Sequence, residues 1–312
     1  MFVSKVTRLP DLSRLDIPEK QRVITVRDEQ IFADLRNRHR TMADREGGAC
    51  IGDYVLIERK NAQGNVRTVH IELGAKAFKA YETALIGCMA GQEIPLTLNG
   101  ETVLLKVRSV RMPLELPLTD DAIAALQIPD VATLHDYRLA YLKEHGAEIA
   151  DRVFRALQGR LIDQTLEMTE IELDRKDTDR FNEQQLTMLK NIQGDADARI
   201  LKAYGEDGKY SLEECRRLFY EDNARTCRVI ILGKAMAEHD GAVPTEEEYR
   251  QFTEYFCLVF NKTAEQVEEE NLQEDVLQSY WLKYAVGQIK SYYRSIVCFD
   301  AEGIERLPLK NC

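Results

Sequence analysis

Few residues in this chain of 312 are spaced as catalytic chemistry requires. Two His–Asp neighbours, His135-Asp136 and His239-Asp240, have the right types for acid/base work. They lie in helical patterns, however, where successive residues do not face one another, so a surface or capping role is the simpler reading. Glu246-Glu247-Glu248 and Glu268-Glu269-Glu270 resemble metal-ligand runs, but glutamates in a first helical turn are what a helix N-terminus favours. The seven cysteines (50, 88, 215, 227, 257, 298 and 312) are odd in number and scattered. They show neither CxxC nor Cys/His ligand spacing, so reduced, mostly buried thiols are expected. No nucleophile elbow, phosphate-binding loop or dinucleotide fingerprint occurs. No cofactor and no metal are expected.

The elements that would carry a function are easier to read. Val3, Val6, Leu9, Leu12 and Leu15, interrupted by Pro10 and Pro18, predict an extended segment with turns. Residues 27–44 place Ile31, Leu35 and His39 at four-residue steps before Gly47-Gly48, an amphipathic helix and its stop. From Gly52 the period becomes two: Val55 and Ile57, then Val69, Ile71 and Leu73, then Ile94, Leu96 and Leu98, then Val103, Leu105 and Val107. Asn99-Gly100 between the last two runs is a type I′ hairpin signal. Residues 81–88 read as a short helix with Leu85 inward. After Met112-Pro113 the pattern is helical to about Val297. Ser211 to Glu214, Thr245 to Glu248 and Thr263 to Gln266 are capping boxes, each opening a helix.

Composition bounds the rest. The chain is 44% hydrophobic and 30% charged, as for a globular protein with two or three units. Its formal charge of −11 argues against a nucleic-acid partner, since phosphate binding needs clustered Lys and Arg. No segment reads as spanning a membrane, and no secretory signal is seen in the sequence as given, so a cytoplasmic location is expected.

Gly52-Asp53-Tyr54-Val55, Leu73-Gly74 and Tyr81-Glu82 through Leu85-Ile86-Gly87 together resemble the FKBP-type prolyl isomerase core of bacterial trigger factors. Leu116-Pro117-Leu118-Thr119-Asp120-Asp121 and the stretch from Ala224 to Glu247 are similar to the entry and the long helix of that family's C-terminal body. The resemblance implies an α+β fold: a small FKBP-like antiparallel β-sheet domain with one short helix, followed by an all-α trigger factor C-terminal (SurA-like) helical domain. It implies boundaries at 1–48 (linker strand and helix packing on the core), 49–113 (reduced FKBP-like domain), 114–298 (helical chaperone domain) and 299–312 (tail).

The same resemblance implies an ATP-independent chaperone for unfolded or nascent polypeptides. Tyr81 matches the aromatic at the floor of the family's prolyl basket and Phe78 the residue beside it, while Val69 and Leu105 stand where phenylalanines are usual. Arg59 replaces an aromatic, the bulge after the first core strand is shortened, and the Asn-Gly turn stands where the family has a long flap. Isomerase activity is therefore expected to be absent, and no catalytic residue is assigned. The ribosome-docking signature is not found near the N-terminus, which leaves ribosome binding doubtful. Polypeptide contacts are expected at Phe78, Tyr81, Val69 and Leu105, and in the helical part at Met168, Phe181, Met188, Leu189, Tyr204, Tyr210 and Phe260. Two alternatives remain at this point: an active prolyl isomerase, and an adaptor for one defined partner. Oligomeric state is left open.

Overall fold

The computed structural model describes residues 2–60, 64–77, 79–98 and 101–312. In chain order the elements are β1 (Lys5–Arg8), α1 (Glu19–Arg22), β2 (Val23–Thr25), α2 (Asp28–Arg38), β3 (Thr41–Asp44), β4 (Tyr54–Lys60), β5 (Val66–Glu72), α3 (Lys79–Leu85), β6 (Glu93–Leu98) and β7 (Glu101–Leu114). There follow α4 (Asp120–Ala125), α5 (Leu134–Glu167), β8 (Glu170–Glu172), α6 (Arg175–Gln193), α7 (Ala196–Tyr204), α8 (Leu212–Asp240), α9 (Glu246–Phe260), α10 (Ala264–Glu269), α11 (Gln273–Ile296), β9 (Cys298–Ala301) and β10 (Ile304–Pro308). The fold class is α+β, a small sheet and a helical remainder. The chain forms two compact units, and the division falls within α5, after Leu142.

The sheet unit runs from Val26 to Leu142 and includes Ala301–Ile304. Its sheet has the order β3-β7-β4-β5, with β6 also on β7, all antiparallel. The period-two residues share one face: Val55, Ile57, Ile71, Val103, Leu105 and Val107 are buried together with Leu85 of α3. A shift in register between Leu56 and Ile57 lets Arg108 escape the alternation and reach Glu58 at 2.6 Å. The helix expected over 27–44 ends at Arg38, and Thr41–Asp44 instead forms β3 against the far end of β7. The apolar period itself stops at His39, and Thr41-Met42-Ala43 offers side chains that suit an edge strand as well as a helix. α2 buries Ile31, Phe32 and Leu35, and Phe32 stacks on Tyr137 with ring centroids 6.1 Å apart. Arg138 crosses to Asp28 through two hydrogen bonds of 2.9 and 2.6 Å. That pairing holds the Asp28 carboxyl below its ordinary range.

Most words of the family resemblance prove structural. Gly52 sits at φ +92°, a left-handed turn that side chains resist. Beside it the buried Asp53 carboxylate accepts the Cys50 N–H at 2.7 Å and pairs with Arg45. The buried Glu82 carboxylate accepts the Gly74 N–H at 3.0 Å, tying α3 to the end of β5.

The helical unit comprises the segment ending at Thr25, Lys143–Asp300 and Glu305–Cys312. Residues 5–8 and 23–25, which sequence reading placed in a linker on the sheet, pair instead within this unit: β1 with β8, and β2 in parallel with β9. The reason is visible at Asp177, a buried carboxylate that accepts the Val3 N–H at 2.9 Å and the Ser4 N–H at 2.7 Å. Residues 299–312, expected as a tail, form β9, β10 and a final turn, with Phe299 fully buried against Gly146 of α5. The 34-residue α5 runs through Gly146 unbroken, and a side chain at that glycine would crowd the Phe299 ring. The capping boxes at Ser211, Thr245 and Thr263 are all formed, each hydroxyl accepting the N3 amide and each N3 side chain the cap amide. Phe181, Cys227, Ile230, Ile231, Tyr280 and Trp281 form the core where α6, α8 and α11 meet. No helix among the described residues is long and apolar enough to cross a membrane.

Candidate functional site

Along α8 one stripe is buried and another is left to solvent. Cys215, Phe219, Asn223 and Cys227 point inward, while Glu213, Arg216, Arg217, Tyr220, Glu221, Ala224, Arg225 and Arg228 line three adjoining hollows. These positions recur at three and four residues, so they form a continuous strip on one side of the helix. The hollow toward Arg228 has a volume of about 510 Å³ and is closed by Leu166 and Glu167 of α5 and by Leu173 beyond β8. The one beside Tyr220 and Arg216, of about 450 Å³, is closed by Leu186 and Lys190 of α6 and by the Gly194–Asp197 turn into α7. A third, of about 520 Å³ and lined by α8 alone, joins them and shares residues with both. At 1.5 Å per residue the strip from Glu213 to Arg228 is about 22 Å long, room for roughly six or seven residues of extended chain.

The rim is held in place by ion pairs. Arg216 gives Asp197 two hydrogen bonds of 3.0 and 2.6 Å, and the Arg216 guanidinium is held above its ordinary pKa by that carboxylate. Arg217 reaches Glu221 at 3.0 Å, and Arg225 reaches Asp163 and the Gly159 carbonyl. Apolar surface remains open between them: Leu173 is 39% and Tyr220 38% exposed. The arrangement sets open apolar surface within a frame of paired charges. It brings together no nucleophile and base, and among the described residues no group of His, Cys, Asp or Glu is placed to hold a metal ion.

Of the residues expected to touch polypeptide, Leu189, Tyr204 and Tyr210 come together around Ile200, Cys215 and Phe219, where α6, α7 and α8 meet. The Tyr204 hydroxyl donates to Asp222 at 2.8 Å, and burial together with that carboxylate pushes its pKa up to about 12. Met168 and Met188 are half-buried. Phe181 is only 4% exposed and belongs to the core, and Phe260 packs with Phe256 in a separate cluster that includes Val267 and Val276. The stripe of α8 itself was missed. Its signal was present as small or aromatic residues, Tyr220 and Ala224, set between four arginines at helical spacing.

In the sheet unit Tyr81 and Val69 are partly buried against the core, whereas Leu105 has no exposed surface. Leu105 lies opposite Arg59, and Ile57 opposite Val69, so a guanidinium borders the end of this apolar face. Phe78, the Asn99-Gly100 turn and residues 61–63, which follow the first core strand, lie outside the described residues. The strands flanking the turn do pair, Leu98 opposite Glu101.

A small antiparallel sheet unit and a helical unit bearing a charge-rimmed groove define the class, an α+β protein. In sequence it is 24% identical to the trigger factors of two Streptococcus thermophilus strains over 288 residues, 83% of this chain and 66% of theirs. The chain thus spans just under two thirds of the length of those relatives. In fold it is similar to a trigger factor whose structure is described for promiscuous substrate recognition in folding and assembly, with a TM-score of 0.56, 19% identity, and coverage of 93% of this chain and 73% of that one. No family model matches. In sequence and fold, the chain is thus similar to trigger factors.

Proposed function

We propose that this protein is an ATP-independent chaperone that holds unfolded or nascent polypeptides on its helical unit, and that its reduced sheet unit does not isomerise prolines. The observation that carries the reading is the strip on α8: hollows of about 450 to 520 Å³, lined in part by Leu166, Leu173, Tyr220 and Ala224 and framed by paired charges. Many sequences bind such a surface weakly and leave without any chemical step. The relatives named trigger factor support the same reading.

Prolyl isomerisation must lower a barrier of roughly 18–20 kcal/mol by desolvating a twisting amide in an apolar basket. Here Leu105 is sealed in the core and Arg59 stands beside it, while Tyr81 and Val69 are the expected contact residues that remain partly exposed among the described ones. That is little surface with which to exclude water from a peptide bond. The cytoplasm, where the thiols stay reduced, is the compartment we infer.

The test uses a small client whose slow refolding phase is set by a trans-to-cis proline step of tens of seconds. Excess protein is expected to slow or leave unchanged that phase while suppressing aggregation of the client. Acceleration of the phase would refute the inactive sheet unit, and aggregation unaffected by equimolar protein would refute the chaperone.

A further inference from the structure

The hollow at the Arg228 end of the strip differs from its neighbours in its charge accounting. Of its two arginines, Arg225 is satisfied by Asp163 and the Gly159 carbonyl. Of its carboxylates, Asp163 is thereby taken, and Glu221 is taken by Arg217. Arg228 remains: a half-buried residue lining the hollow, whose guanidinium has no hydrogen-bond or ion-pair partner among the described residues. The one other charge left over is Glu167, which is exposed and therefore screened by water and salt.

We propose that this hollow is a carboxylate-reading subsite that takes an Asp or Glu side chain flanked by apolar residues in an extended polypeptide. The inference rests on the reading of the α8 strip as a client surface. A planar guanidinium with its donors unspent matches a carboxylate through two parallel hydrogen bonds, a geometry a lysine ammonium does not offer. The flanking apolar side chains rest on Leu173 and Ala224, and about 510 Å³ accommodates them with the carboxylate. A phosphate dianion fits less well, because Asp163, Glu167 and Glu221 all face the same space and repel the second charge. The subsite thus gives an acidic protein one local preference for acidic segments, against the sign of its net charge of −11.

The test compares two ten-residue fluorescent peptides that differ only in a central Asp or Asn between leucines and phenylalanines, titrated into the full chain and followed by anisotropy. The Asp peptide is expected to bind roughly tenfold tighter at low salt. The ratio should fall to about one with Arg228→Gln and at 500 mM salt, and should rise with Glu167→Gln, which removes the opposing charge without touching the core. Equal binding of both peptides to the unaltered protein, or a ratio that survives Arg228→Gln, overturns the subsite. Should Arg228→Gln fail to fold by circular dichroism, an unchanged ratio in Glu167→Gln overturns it instead. If neither peptide binds the unaltered protein at millimolar concentration, the client groove itself is refuted.

Discussion

Gly233→Ala separates two effects of opposite sign. Taken as a helix position, Ala should stabilise α8 by about 0.8–1.0 kcal/mol relative to Gly. At this place, however, α8 crosses α11 with backbone against backbone. A Cβ on residue 233 would overlap the Trp281 carbonyl oxygen, lie 2.7 Å from its carbon and press on the Ala285 methyl at 3.2 Å. Ordinary contact begins near 3.4 Å, so the two helices must part by about 1.5 Å. No side-chain rotamer relieves a clash with a carbonyl, which places the cost at the upper end of the overpacking range, about 3 kcal/mol. The net expectation is a loss of about 2 kcal/mol. With a slope of about 2 kcal/mol per molar urea, the midpoint should fall by about 1 M. Trp281, the single tryptophan and 7% exposed, sits at the crossing, so its fluorescence follows this unit. A midpoint unchanged or raised by Gly233→Ala would refute the close crossing and with it the geometry assigned to α8.

Other perturbations have equally definite outcomes. Asp177→Ala leaves the Val3 and Ser4 amides without their acceptor; amide exchange at residues 3–6 should accelerate, and stability should fall by about 1–3 kcal/mol. Burial pushes Asp151 up, but hydrogen bonds from Lys290 at 2.7 Å and Arg294 at 2.8 Å outweigh it and hold the carboxyl below its ordinary 3.8. Its contribution is therefore present above the ordinary carboxylate range and lost as pH falls through the lowered value, so Asp151→Asn should cost most stability at pH 7 and progressively less as the pH is lowered below about 4, measured by urea titration. Burial pushes the Cys227 thiol up to about 12, and Cys88 and Cys215 are buried as well, whereas Cys50 is exposed. A maleimide at pH 7 should label Cys50 first and leave those three unmodified until the chain unfolds, read by mass spectrometry of peptides.

Much of this architecture was legible because it is written locally. The alternation from Val55 to Val107 depends only on neighbours two apart, and Ser211, Thr245 and Thr263 cap their helices through residues three apart. The errors arose where distant partners decide. Thr41–Asp44 is a strand because β7 extends far enough to receive it, and Cys298–Ala301 is one because β2, more than 270 residues earlier in sequence, lies alongside. Residues 3 and 4 join the helical unit through one buried carboxylate, Asp177, which no periodicity announces. The α8 strip was overlooked for the same reason. Tyr220 and Ala224 look like ordinary surface until Leu166, Leu173 and Leu186 arrive from α5, α6 and the segment beyond β8 to make the surface concave.

The central claim is that unfolded chains are held on α8 and not on the reduced sheet unit. Photo-crosslinking amino acids placed singly at Tyr220, Leu173 and Tyr81, with a labelled unfolded client, decide it directly. Strong crosslinks at positions 220 and 173 with none above background at 81 are the expected result; crosslinks at 81 alone would contradict the account.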